Sequence, residues 1–284
     1  MKRKDTEKRI GLLVLAGLVM FLLFSAAFAD DELTLTEAWF GRQESVSGWK
    51  DVPGRGETRY YAQNDALWED LTYESDGSSK LRPFGDGGCN PTALAMAVRS
   101  IVAQEDLPAV ASDMLRPFSM CRCSLNKAKC GYGHARYYLT TSMDYERFLP
   151  LVFADYACGN NRNGVSSRNE GKGTVGGYMK YVCAAYGLSL ETVSDTESGL
   201  AAVKEDGKAV VAYCSSGGAF TTVGHYVFLA WWDDEYVYFL DPLCRTEYRT
   251  NHSRYMHILE PGLVYMRRSE LKYAGISGYI IISK

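Results

Sequence analysis

Cys89 is the first residue in this chain whose type and position together suggest chemistry. The run Gly87-Gly88-Cys89-Asn90-Pro91-Thr92 sets a thiol immediately before a helical pattern. A helix N-terminus carries about half a positive charge. That charge favours the thiolate, which is the nucleophilic form of cysteine. The glycines ahead of it permit a close approach of backbone and substrate. Taken alone, Cys89 reads as well as a small buried thiol or half of a disulfide. His225 shifts that balance. It is one of four histidines (134, 225, 252 and 257) and follows Gly224 at the head of an apolar run. An imidazole there can take the thiol proton and later protonate a leaving amine. Asp241, at the end of the next apolar run, is the residue that would orient such an imidazole and stabilise its charged form. As Asp241-Pro242 it reads equally as a strand terminator. Gln63 lies in Tyr60-Tyr61-Ala62-Gln63-Asn64-Asp65-Ala66-Leu67-Trp68. A Gln amide N–H can donate to the oxyanion formed when a thiolate attacks a carbonyl. Without the Cys and the His, it reads as a surface loop residue.

These residues need elements to hold them. Leu94, Ala97, Val98, Ile101 and Val102 recur at helical spacing after Cys89, and Pro91 suits the first turn, where a missing N–H costs nothing. Val175–Tyr186 reads as a helix closed by Gly187, and residues 197–205 as another with Gly207 after its end. Residues 137–156 contain helical pieces. Residues 188–193, 209–213 and 278–283 read as strands. Residues 225–232 and 235–240, rich in Tyr, Val, Phe and Trp, read as a hairpin turning at Asp233-Asp234. A two-residue loop there sets His225 opposite Pro242, one position from Asp241, unless a bulge shifts the register. Residues 76–79 and 85–88 read as loops. The order is helix-rich first and strand-rich second. That predicts an α+β fold, with the nucleophile helix packed on a C-terminal antiparallel sheet.

The composition agrees with one large folded domain. Of 284 residues, 46% are hydrophobic and 23% charged, which excludes a disordered polymer. A net charge of −3 gives no electrostatic footprint for nucleic acid. Lys2, Arg3, Lys4, Lys8 and Arg9 precede an uncharged run from Ile10 to Phe24, and Ala27-Phe28-Ala29 fits a small-x-small cleavage site. This is the pattern of a secretory signal peptide over residues 1–29. Its removal leaves 26 basic and 32 acidic residues and no apolar run long enough to span a bilayer. Residues 30–57 are polar and read as an N-terminal extension. Residues 58–284 form the domain, with a Cys-rich insertion at about 106–170. Seven cysteines remain besides Cys89: 121, 123, 130, 158, 183, 214 and 244. Export favours pairing, and an odd count leaves one over. Cys121, Cys123, Cys130 and His134 also have metal-like spacing, so disulfides, free thiols and structural zinc stay open there, with zinc the least favoured. No cofactor is called for.

Tyr61-x-Gln63-x-Asp65-x-x-Trp68, Gly88-Cys89-x-Pro91-Thr92, Gly224-His225-Tyr226-Val227 and Asp241-Pro242, in that order, resemble the double-glycine (bacteriocin-leader) peptidases of bacteria. These are papain-like cysteine peptidases. The resemblance covers roughly residues 58–245. It implies Cys89 as nucleophile, His225 as base, Asp241 as its orienter and Gln63 for the oxyanion hole. It implies peptide or protein substrates. Asn90 stands where the family usually has Gly, residues 106–170 exceed the family core, and the sequence holds no multi-span transporter segment. The leader-peptide substrate of transporter-fused members therefore does not carry over. The expectation is an exported cysteine peptidase or amidase, secreted or held at the cell surface. The alternative is a catalytically silent exported binding protein on the same fold.

Overall fold

The computed structural model describes residues 45–69, 72–73, 82–107, 145–158 and 176–284. Its centre is an antiparallel sheet of seven strands: β5 (Ser189–Val193), β6 (Lys208–Cys214), β7 (His225–Trp232), β8 (Tyr236–Leu240), β9 (His257–Glu260), β10 (Leu263–Arg267) and β11 (Ile276–Ser283). The spatial order is β5-β11-β6-β7-β8-β10-β9. The last strand in sequence therefore lies inside the sheet, between β5 and β6. Two earlier strands, β1 (Gly48–Val52) and β2 (Gly56–Tyr60), make a separate hairpin. This hairpin takes up most of residues 48–57, which read from sequence as a polar extension. The short pair β3 (Thr72–Tyr73) and β4 (Arg82–Pro83) precedes the helices. The expected α+β arrangement is the observed one.

The helices are α1 (Phe84–Gly87), α2 (Cys89–Ile101), α3 (Tyr145–Cys158), α4 (Met179–Ala185) and α5 (Thr196–Val203). Helix α2 packs on β6 and β7 and against α3. Its periodicity suggests one apolar face, yet every side chain from Asn90 to Val98 is buried. Ala93, Ala95 and Ala97 make this possible, because small side chains let a helix be enclosed on all sides without overpacking. Helix α5 lies on a core built from Val210, Ala212, Val227, Leu229, Val237 and Phe239. Asp195 caps it, accepting from the Ser198 N–H at 2.8 Å.

Two departures from the sequence reading have local causes. Residues 85–88 do not form an open loop, since Phe84–Gly87 is a helical turn whose Phe84 carbonyl accepts the Gly88 N–H at 2.7 Å. The β7–β8 turn falls one residue later than expected. The Asp233 N–H donates to the Tyr236 carbonyl, and the Asp233 carboxylate accepts from the N–H groups of Glu235 and Tyr236 at 2.8 and 2.7 Å. This aspartate turn draws Asp234 and Glu235 into the loop. A bulge at Ala230 then shifts the register, and the ladder ends at Phe228↔Leu240. Arg55, beside the β1–β2 turn, donates to the Ala230 carbonyl at 2.9 Å, so the bulge also anchors that hairpin.

Helix α3 contains Pro150. Proline has no N–H, so the Glu146 carbonyl one turn earlier loses its helical donor. The Tyr61 hydroxyl donates to that carbonyl instead. The Arg99 guanidinium on α2 bonds the Glu146 carboxylate at 2.7 Å. The loop carrying Gln63 is thereby tied to both helices.

Candidate active site

Cys89 is the first residue of α2, and its side chain is partly exposed. The turn before it is tight. A Cβ on Gly88 would lie 2.5 Å from the Phe84 ring, so only glycine fits there. No side chain caps this helix start. The Thr92 N–H and hydroxyl both bond the Gly88 carbonyl, at 3.1 and 2.7 Å. The N–H groups of the first turn have no intrahelical acceptor, so the backbone around Cys89 presents donors. Asn90 is fully buried. Its side-chain carbonyl accepts from the Tyr178 hydroxyl at 2.6 Å, and the amide also acts on the Tyr226 hydroxyl of β7. The amide where glycine is usual thus pins the helix start to β7 and to the turn ahead of α4.

His225 opens β7, paired with Cys214 on β6, and is almost completely buried. Its Nε2–H donates to Asp241 Oδ1 at 2.6 Å. The Cys89 thiol also acts on the ring electrostatically. Because Nε2 is committed to Asp241, Nδ1 is the nitrogen left for the thiol. Burial alone would drive the imidazole towards neutrality. The Asp241 charge and hydrogen bond outweigh it, helped by Cys89, and raise the His225 pKa to about 9. In return, Asp241 is held below the usual carboxylate range, since His225 overcomes the cost of its burial.

Asp241 has no exposed surface. Oδ1 also accepts from the Leu243 N–H at 2.9 Å, and Oδ2 accepts from the Tyr248 hydroxyl. Its backbone is clamped as well. The Asp241 N–H donates to the Gly262 carbonyl at 2.8 Å, and its carbonyl accepts from the Tyr60 hydroxyl at 2.9 Å. Gly262 adopts φ +85°, and a Cβ there would lie 2.3 Å from the Tyr60 ring. Both the left-handed backbone and the close approach require glycine. Asp241 therefore meets His225 from beyond the end of the β7–β8 ladder and not across a strand pair.

Gln63 reaches towards both halves of the site. Its backbone N–H donates to the Pro242 carbonyl at 2.7 Å, and its side-chain Nε2 donates to the Gly85 carbonyl at 2.5 Å. The Gly85 N–H is held by the Glu69 carbonyl at 2.9 Å. Nε2 carries a second hydrogen, and the buried Oε1 has no hydrogen-bond partner among the described residues. The loop is fixed by Asp65, another carboxylate with no exposed surface. Asp65 Oδ2 accepts from the Ser45 hydroxyl (2.6 Å), the Ser47 hydroxyl (2.6 Å) and the Ser47 N–H (2.9 Å), and Oδ1 from the Leu67 N–H at 3.0 Å.

Cys89, His225, Asp241 and Gln63 are thus gathered at one place. The sequence reading missed the groups that hold them: Tyr60, Gly262, Tyr248 and the Ser45–Ser47 segment. Asp65 stands two residues from Gln63 in the recognised motif, which was a usable signal. The others carry none, because they lie from 7 to 181 positions from their partners in sequence, beyond the reach of a local pattern. Among the described residues, Cys183, Cys214 and Cys244 form no disulfide. Burial pushes the Cys183 thiol up to about 12 and the Cys214 thiol well above its ordinary value. This makes both inert at neutral pH. Cys121, Cys123, Cys130 and His134, and the signal-peptide segment, lie outside the described residues. Among the described residues no helix is long and apolar enough to cross a membrane.

The model of the Peptidase_C39 like family matches residues 57–260, and the chain belongs to that family. The family is of cysteine-peptidase type, which implies a peptide or protein substrate. No curated protein matches the chain.

Proposed function

We propose that this chain is an exported cysteine peptidase or amidase that cleaves peptide or amide bonds through an acyl-thioenzyme. The observation that carries the reading is the buried His225–Asp241 hydrogen bond at 2.6 Å, on an imidazole that the Cys89 thiol also acts on. His225 Nδ1 accepts the thiol proton, and the sulfur attacks the carbonyl carbon. A C–S bond forms and the carbonyl electrons move to oxygen. The Cys89 N–H and the second hydrogen on Gln63 Nε2 donate to that oxyanion. His225 then gives its proton to the departing amine as the C–N bond breaks. Water, deprotonated by His225, attacks the thioester and releases the acid and the thiol. Asp241 stays ionised throughout, holding Nε2–H and stabilising the imidazolium.

Export rests on the basic, apolar and Ala27-Phe28-Ala29 pattern at residues 1–29. It places the substrate outside the cell, free or at the cell surface.

The test is cleavage of a quenched-fluorescent peptide library by the full chain, beside Cys89→Ala. Iodoacetamide labelling from pH 5 to 9, mapped by mass, runs in parallel. The expected result is turnover that Cys89→Ala abolishes without loss of the folded state, and labelling of Cys89 well ahead of Cys183, Cys214 and Cys244. Full turnover in Cys89→Ala would overturn the mechanism.

A further inference from the structure

We propose that Tyr248 is a positioning residue of this site: its hydroxyl holds the second carboxylate oxygen of Asp241 so that the first faces His225. The inference rests on the proposed function and adds a residue seven positions beyond Asp241. A carboxylate turns about its Cβ–Cγ bond unless both oxygens are engaged. Oδ1 is bound by the Leu243 N–H and by His225, and Oδ2 by Tyr248. With three donors on two oxygens, the carboxylate plane is set before any substrate arrives.

The Tyr248 ring is fixed independently of Asp241. It stands edge-on to Phe220, with centroids 6.1 Å apart at 87°, and Phe220 is itself edge-on to Phe239 in the core. The Arg245 guanidinium lies 5.1 Å from the Tyr248 ring centre, and its Nη1 donates to the Phe220 carbonyl at 2.9 Å. A hydroxyl on so constrained a ring is a fixed donor. It also stays protonated, because burial and the Asp241 charge push its pKa well up.

The titratable groups around Asp241 are His225 on β7, Cys214 on β6, Tyr60 on β2, and Cys244, Arg245 and Tyr248 in the following loop. Burial raises Cys214, Tyr60 and Cys244, so the groups left to act on the pair near neutral pH are Arg245, beside Asp241, and Cys89, which faces His225 from α2. The Tyr248 O–H points its positive end at the carboxylate and lowers the proton affinity of the whole His225–Asp241 pair. Removing it raises both steps of the pair's titration.

The experiment is a ¹³C-histidine NMR titration of the full chain, with the His225 signal assigned by its loss in His225→Ala. It requires no substrate. Tyr248→Phe keeps the ring and its packing. It is expected to move the His225 titration up by about half a pH unit. With a peptide substrate it should lower kcat by about fivefold with KM unchanged. In an Asp241→Asn background, Tyr248→Phe should add nothing to either effect. Phe220→Leu loosens the ring but keeps the hydroxyl, and separates packing from hydrogen bonding. The proposal fails if Tyr248→Phe leaves the His225 titration in place, if its effect persists in Asp241→Asn, or if Phe220→Leu shifts His225 as far. A chain without peptidase activity would sink the proposed function, and the NMR arm would still decide the role of Tyr248.

Discussion

Two buried carboxylates, Asp65 and Asp241, sit at the ends of two segments of this protein, and their surroundings differ in one chemical respect. Asp65 accepts from hydroxyls and backbone N–H groups of Ser45, Ser47 and Leu67. All of these keep their protons across the accessible pH range, so the carboxylate ties one piece of chain to another. Asp241 accepts from a backbone N–H and a hydroxyl too, but its remaining donor is an imidazole. In the proposed mechanism this one titratable donor turns a structural clasp into an acid–base device, because the proton on His225 exchanges with Cys89. Burial is the same at both sites. The partner decides what the carboxylate does.

Variants at the two sites should therefore divide differently between activity and stability. After Cys89→Ala, the largest loss is expected for His225→Ala, on the order of 10³-fold in kcat with the fold retained, read by peptide turnover and circular dichroism. Gln63→Ala should cost about 10²-fold in kcat if its amide serves the oxyanion. A KM effect alone would assign the residue to substrate binding. Asp241→Asn should reduce kcat/KM by less than His225→Ala does, and should also move its pH profile. His225, raised to about 9, keeps its proton across neutral pH, so activity of the ion-paired form falls as pH rises through about 9. Without the Asp241 charge that alkaline limb moves down, and an unmoved limb would separate Asp241 from the mechanism.

The same shifts make a stability prediction. The folded-state rise of His225 contributes stability in full below its ordinary value near 6.5 and loses it as pH rises through about 9. The depression of Asp241 contributes above its ordinary value near 3.8 and is lost in acid. Thermal melts across pH should show both edges, and Asp241→Asn should flatten them. Asp65→Asn is expected to reverse the pattern, lowering unfolding free energy by about 1–3 kcal/mol in urea while leaving kcat within about threefold. Ser47→Ala, which removes one bond to Asp65 and an acceptor for the Ala62 N–H at 3.0 Å, should cost about 1 kcal/mol. Equal losses of activity at Asp65 and Asp241 would erase the distinction drawn between them.

Several parts of this were legible in advance. The helix behind Cys89, the β7–β8 hairpin, and the strands at β5, β6 and β11 follow from periodicity and from Gly187 and Gly207 as stops. These signals act within a few residues. The Asp233 side chain moved the hairpin turn by one residue and the bulge at Ala230 partly offset it, neither of which an alternating apolar pattern encodes. The hairpin at 48–60 and strands β9 and β10 were not seen. Their side chains are of mixed polarity, and their stability comes from pairing and docking more than from an apolar stripe.

The sequence by itself determined which side chains are proposed to carry the chemistry: a thiol at a helix start, one imidazole at a strand start, a carboxylate at a strand end and an amide in an aromatic loop. Tertiary structure alone decided their orientation. Tyr60, Gly262 and Tyr248 reach Asp241 across 181, 21 and 7 positions of chain, and Pro150 frees a helical carbonyl for Tyr61. Hydrogen bonding depends on distance and angle at a few ångströms. Sequence order constrains those only between close neighbours, and the rest had to await the packing of the sheet against α2.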